Sequence, residues 1–160
     1  MDLYDWLLFF HVATAFALVA ALVVYWVIAI AGRNVDRPVD SLRYFRVARP
    51  ANVLVIAGTV GTLIFGVWLA IQVDGYHPWD GWILAAYVLW ALAAFTGQRG
   101  GQTYAEAQKL AEKLAAEGRA GEASPELRAL LQDRRAMWLN IVSSAAVLVL
   151  LIDMIYKPGA

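Results

Sequence analysis

Cysteine is absent from the chain. That excludes disulfides, thiolate nucleophiles and Cys-ligated zinc or iron–sulfur centres. Charged residues are scarce, 16% of 160 residues, where soluble domains carry about 25%. Histidine occurs only at His11 and His77, so a haem clamped between two membrane histidines lacks its second ligand. No HExxH, nucleophile elbow, P-loop or dinucleotide fingerprint is present. The glycines of GQRGGQ lack the strand–turn–helix setting of a phosphate loop. The chain also lacks the line of mid-membrane ionisable groups expected of a channel or pump. Its midplane offers only Thr59, Thr62, Ser143 and Ser144, each expected to satisfy its own helix backbone.

Apolar residues make up 61% of the chain, and its mean hydropathy is +0.58. They concentrate in four runs, at about 6–31, 51–73, 79–97 and 137–156. Each is near or above the ~20 residues a helix needs to cross a ~30 Å hydrocarbon core. The predicted fold is all-α: a single transmembrane domain over 1–160, built as a four-helix bundle. The first run has no Lys or Arg before it and no small-residue cleavage site, so it reads as a retained helix and not a signal peptide.

Net charge is zero, but its distribution is one-sided. Twelve of thirteen basic residues fall between runs 1 and 2 or between runs 3 and 4; Lys157 is the exception. The positive-inside rule makes those segments cytoplasmic. The expectation is a multi-pass protein of the inner (plasma) membrane with both termini outside. Tyr4, Trp6, Trp68, Tyr76, Trp79, Trp82 and Tyr156 then form an outer aromatic belt. Trp90 falls mid-helix and reads as a packing residue.

SLRYFRVARP, before run 2, places Arg43, Arg46 and Arg49 every third residue. It reads as a short interfacial helix whose arginines meet anionic lipid headgroups. Pro50 then suits the first turn of the second spanning helix. Between runs 3 and 4, residues 99–136 read as a cytoplasmic helical hairpin, with the Gly100–Gly101 pair as a kink or break. Glu106–Lys109 and Lys113–Glu117 are expected ion pairs. Ser124-Pro125-Glu126 is a helix start, and that helix is expected to run directly into the fourth span. The basic residues hug a membrane surface and are balanced by acids in the hairpin, which excludes nucleic-acid binding.

Three groups of residues are candidates for function. Gly58, Thr62, Gly66 and Ala70 form a small-residue stripe that suits close helix packing, within the chain or with a second copy. Arg49, Asn52, Gln98, Arg99 and Asn140 share one depth near the inner ends of the helices, as a candidate interhelical polar cluster or headgroup cradle. His11, His77 and Asp153 are a candidate metal or proton-transfer group near the outer end. His11 alone is a candidate haem ligand. Asp153 is otherwise expected to pair with Lys157.

LLFFHVATAFALVAAL, VARPANVLVIAGTVGTLIFG and WDGWILAAYVLWALAAFTGQRGG together resemble a family of small bacterial predicted integral membrane proteins. That family is catalogued as a domain of unknown function. The resemblance implies the fold and no activity. The Leu7-x-x-x-His11-Val12 context also resembles copper-resistance D proteins and haem-binding membrane protoporphyrinogen oxidases. Both groups use further polar or histidine positions without counterpart here, so that resemblance bears on His11 alone. The leading functional expectation is a non-enzymatic accessory subunit or scaffold, self-associating through the Gly58 stripe or docking a partner on the hairpin. The alternative is a haem- or metal-binding redox protein using His11. A small-solute transporter comes third, and it requires a roomy cavity between the helices.

Overall fold

The computed structural model describes residues 2–158. It contains five helices: α1 (Leu3–Gly32), α2 (Pro38–Gln72), α3 (Gly81–Ala116), α4 (Pro125–Leu131) and α5 (Arg134–Tyr156). Four stretches are long and apolar enough to cross a membrane, the last being α4 and α5 taken together. Only 11–28% of the residues in their most apolar windows are buried inside the chain. Their outward faces carry Phe16, Val53, Ile56, Val88 and Ile155. Surfaces of that kind are stable against lipid and not against water.

The helices pack as two tight pairs, α1 on α2 and α3 on α5, joined by an α2–α3 contact. Glycine makes the first pair possible. A Cβ on Gly58 would lie 2.7–2.8 Å from the backbone N, Cα and Cβ of Leu18. One on Gly61 would lie 2.4 Å from Thr14 Cγ2. In the second pair, a Cβ on Gly97 would meet Ser143 Oγ at 3.0 Å, and one on Gly100 would meet Asn140 Oδ1 at 2.9 Å. Hydroxyl groups add cross-helix bonds. Ser143 Oγ donates to the Ala93 carbonyl (2.9 Å), Thr62 Oγ1 to Thr14 Oγ1 (3.4 Å), and Trp26 Nε1 to Ser144 Oγ (2.8 Å). The expectation that these hydroxyls serve only their own helices is therefore corrected. Their side chains sit at helix–helix contacts, where the neighbouring helix is within reach.

α2 and α3 outrun the bilayer. A 36-residue helix such as α3 is ~54 Å long, against a ~30 Å core. The surplus forms a separate small core of Phe45, Ala107, Ala111, Leu127 and Leu131. Here the separate interfacial helix is corrected: residues 38–72 are one helix with Pro50 inside it. Pro50 forfeits one backbone bond, but Ser41, Phe45, Ala48 and Ala51 stay buried along one face across it. Phe45 on that face packs into the hairpin core, and the helix continues through the proline. Arg43, Arg46 and Arg49 remain on the exposed side. The glycine pair likewise does not interrupt α3, because Gly100 is a packing position and no break is needed there.

The hairpin itself is well terminated. Gly118 (φ +81°) ends α3, with Arg119 N donating to the Leu114 carbonyl (2.9 Å) and Gly118 N to that of Ala115 (3.1 Å), a Schellman closure. Ser124 Oγ caps α4 by accepting from Leu127 N (3.2 Å). The fourth span is not continuous with α4: the chain breaks at Gln132–Asp133, and Asp133 caps α5 by accepting from Arg135 N (2.8 Å). Of the two expected ion pairs, Lys113–Glu117 forms at 4.0 Å. Glu106–Lys109 is not among the pairs formed by the described residues; both side chains have water as the competing partner. Loop-to-loop bonds lock the hairpin onto the α1–α2 turn: Val39 N to the Ala120 carbonyl (2.9 Å), Ser124 N to that of Asp36 (2.8 Å), and Gln132 Nε2 to that of Arg33 (2.7 Å). Burial there pushes the Tyr104 hydroxyl pKa up, opposed by nearby Arg33.

The glycine contacts give a matched pair of substitutions. Gly58→Ala forces a backbone shift against Leu18 and is expected to destabilise the protein by about 1–3 kcal/mol. Gly101 has nothing within 4 Å of its would-be Cβ. Gly101→Ala is expected to stabilise the helix by about 0.5–1 kcal/mol. Thermal unfolding in mild detergent checks both signs.

Candidate functional site

The two helix pairs do not fill the space between them. A cavity of about 500 Å³ lies there, lined by residues of α1, α2, α3 and α5 and of the α2–α3 turn. One end is the mid-bundle layer of Leu18, Ala93, Ala146 and Val147. The other is the layer of Ala70, Trp82 and Ile83, with Tyr76 and Met154 against it. The wall is almost wholly apolar, which follows from helices that must also be stable in lipid. Three sides of the ring α1–α2–α3–α5 are closed by packing, and on the fourth α1 and α5 barely touch. The Trp26–Ser144 bond ties those two helices toward the hairpin end. Toward the other end, Phe16 of α1 and Ile155 of α5 are 72% and 74% exposed and border the cavity. The cavity is thus open sideways, to the bilayer.

Its few polar groups stand at separate places. His11 lines the wall. Its Nδ1 lies 3.1 Å from the Thr62 carbonyl. A carbonyl can only accept, so Nδ1 carries the proton and Nε2 is the basic nitrogen. Gly66 leaves room for the ring: a Cβ there would sit 2.9 Å from His11 Cε1. Trp90 is a packing residue with a purpose, donating its indole N–H to the Thr59 carbonyl (3.0 Å) beside the cavity. At the far end Lys157 Nζ donates to Tyr76 Oη (2.9 Å) and lies 4.8 Å and 5.6 Å from the Tyr76 and Trp82 ring centroids.

The small-residue stripe is an internal seam. Gly58, Thr62 and Gly66 face Leu18, Thr14 and His11 of α1, and Ala70 packs with Trp82 and Ile83 of α3. Self-association through that face is corrected: the chain's own helices occupy it.

The metal group is also corrected. Among the described residues no cluster of three or more His, Cys, Asp or Glu forms. His11 is held by Thr62 inside the bundle. His77 lies in the turn before α3, 3.8 Å from Asp80 and against the Trp79 ring. Asp153 is buried on α5 with Oδ2 lacking a hydrogen-bond partner. It does not pair with Lys157, which turns instead toward Tyr76 and Trp82.

The five-residue polar cluster does not assemble either. Arg49, Gln98 and Arg99 are exposed, and Arg99 stacks over Phe95 at 5.1 Å. Asn52 accepts from Tyr25, and Asn140 serves the Gly100 contact and Tyr104. Common depth did not imply a common face. Sequence reasoning missed Tyr76, Trp82 and Lys157 as one group. The available signal was Lys157, the only basic residue away from the two basic segments.

These features define a polytopic, all-helical integral membrane protein with an intramembrane cavity. The chain belongs to the family described as predicted integral membrane protein (DUF2269), whose model matches residues 5–158. Neither the curated proteins nor the solved structures give a match.

The His11 tautomer is directly testable. Nitrogen-15 NMR of histidine-labelled protein is expected to show His11 protonated at Nδ1. Gly66→Ala, which crowds the ring, is expected to shift that signal, while Gly101→Ala leaves it in place. An Nε2-protonated ring in the unmodified protein contradicts the assignment.

Proposed function

We propose that this protein binds a small lipophilic molecule inside the membrane, in the cavity between its two helix pairs. One observation carries the reading: the wall of that ~500 Å³ space is nearly all apolar and opens sideways between α1 and α5. Ligand sites typically occupy about 300–1,000 Å³ and are mainly apolar with a few placed polar groups. A lateral opening suits a solute that partitions into lipid first. The scaffold expectation draws less support from this geometry. It rested on the absence of catalytic motifs and on the hairpin, with self-association through the Gly58 stripe. That stripe and the hairpin residues Leu127 and Leu131 are covered from within the chain.

The asymmetry of basic residues supports an orientation with the hairpin cytoplasmic and both ends of the chain outside, in a plasma membrane. The exposed Arg43, Arg46 and Arg49 then face cytoplasmic-leaflet headgroups, where anionic lipids are their natural partners. The cavity accordingly opens toward the outer leaflet.

A second reading, haem held by His11, is favoured by the ring's own geometry. Histidine ligands commonly donate one N–H to a carbonyl, which orients the other nitrogen. His11 makes that bond with Thr62, and the cavity beside it offers an apolar enclosure.

Protein purified in mild detergent is expected to carry lipophilic material that solvent extraction and mass spectrometry detect at near-equal molar ratio. Ala15→Phe, on the cavity wall, is expected to lower the retained amount at least several-fold while the protein stays monodisperse. Equal retention by both proteins overturns the reading. A Soret band that disappears in His11→Ala selects haem as the occupant.

A further inference from the structure

Lys157 and Trp82 are two hydrogen-bond donors at one end of the cavity; among the described residues Lys157 has no carboxylate partner and the Trp82 indole has no acceptor. We infer that the cavity takes an amphiphile with an anionic head, seated against these two residues with its apolar tail along the wall toward His11. The inference rests on the lipophilic-binding reading above and adds the chemistry of the head.

The donor inventory supports it. Trp82 is only 6% exposed, and its Nε1, which can only donate, has no partner. Buried polar groups are nearly always bonded, so an orphan of this kind calls for an acceptor. Lys157 has three N–H donors and spends one on Tyr76 Oη. Tyr76, having accepted there, keeps its own O–H free to donate. All three residues border the cavity.

Placement supports it too. Among the described residues, Lys157 forms no ion pair with a carboxylate. Its backbone takes the left-handed conformation (φ 43°, ψ 61°) that ends α5, a position usually held by glycine. The side chain from that turn lies over the Tyr76 and Trp82 rings. An ammonium held this way keeps its charge at the cavity rim with no counter-ion among the described residues. The nearest acids in sequence do not fill that role. Asp80 is engaged by His77, and Asp153, buried on α5, forms no ion pair with Lys157.

A carboxylate or phosphate head would accept from Nζ, and a small shift of the Trp82 ring would bring its buried N–H to the same head. Bonds to a charged acceptor are about twice as strong as neutral ones. The alkyl tail would meet only apolar wall. The source of the head is either a free long-chain acid or an acidic bilayer lipid.

The test compares dodecanoate with dodecanol, the same chain with and without the charge. Full-length protein in zwitterionic nanodiscs is challenged with an equimolar mixture, and bound mass is read by native mass spectrometry at neutral pH. The expected result is about a tenfold or greater preference for dodecanoate. In Lys157→Gln that preference is expected to fall to within about twofold, with dodecanol binding unchanged, and Lys157→Arg is expected to keep it. Trp82→Phe retains the ring without its N–H and is expected to reduce the preference partway. Equal binding of acid and alcohol by the unmodified protein overturns the anionic head and leaves the lipophilic cavity standing. Binding of neither overturns both. A preference undiminished in both Lys157→Gln and Trp82→Phe overturns the placement of the head. Repeating the competition in nanodiscs containing phosphatidylglycerol separates the sources. Loss of dodecanoate there assigns the site to an acidic lipid, and retention assigns it to a free acid.

Discussion

Helices immersed in lipid gain little by hiding apolar side chains from one another, because the surrounding acyl chains are equally apolar. Close backbone approach and cross-helix hydrogen bonds must hold them together. In this protein both occur at a few positions. Gly58 and Gly61 let α1 ride on α2, and Gly97 and Gly100 let α3 ride on α5. The bonds Thr62–Thr14 and Ser143–Ala93 lie at the same seams. Each pair is tight because its partner surfaces are small. Between the pairs no glycine seam of this kind exists among the described residues, and large side chains such as Trp90, Tyr87 and Leu150 line the space that is left. The cavity is therefore a consequence of how the bundle is held together.

Outside the bilayer a different force takes over. The surplus turns of α2 and α3 sit where water is the solvent, and burying Phe45, Leu127 and Leu131 is favourable there. This small core does mechanical work for the membrane part. It clamps the start of α2 to the hairpin that joins α3 to α5, so the two pairs are fixed to one another at one end. Direct hydrogen bonds between the α1–α2 turn and the hairpin loop reinforce the clamp. At the opposite end α1 and α5 have no comparable tie among the described residues, and that is where the cavity opens. A molecule anchored at one end and loose at the other can admit a solute without losing its fold.

The spanning helices were legible because twenty consecutive apolar residues have one stable state in lipid. The start of α4 at Ser124-Pro125 was equally legible, since its capping chemistry is local. The errors share a cause. Pro50 and the Gly100–Gly101 pair look like breaks when only local propensity is counted, yet tertiary packing carries α2 and α3 through both. Arg49, Asn52, Gln98, Arg99 and Asn140 share a depth, but depth along an axis says nothing about rotation around it. His11, His77 and Asp153 failed as a group because His11 turns to Thr62 of α2, His77 stays in the α2–α3 turn and Asp153 is buried on α5.

By itself the sequence determined the solvent of each segment, the number of spans, the side on which positive charge collects and the presence of a close-packing stripe on α2. These are properties of composition and spacing along one chain, read by transfer energies that depend on local residue type. Only the tertiary structure decided which helix fills that stripe, that His11 bonds to Thr62, and that Lys157 turns to Tyr76 and Trp82 instead of Asp153. Those outcomes depend on the relative rotation of helices far apart in sequence. That rotation is set by the fit of surfaces that meet only once the bundle has formed.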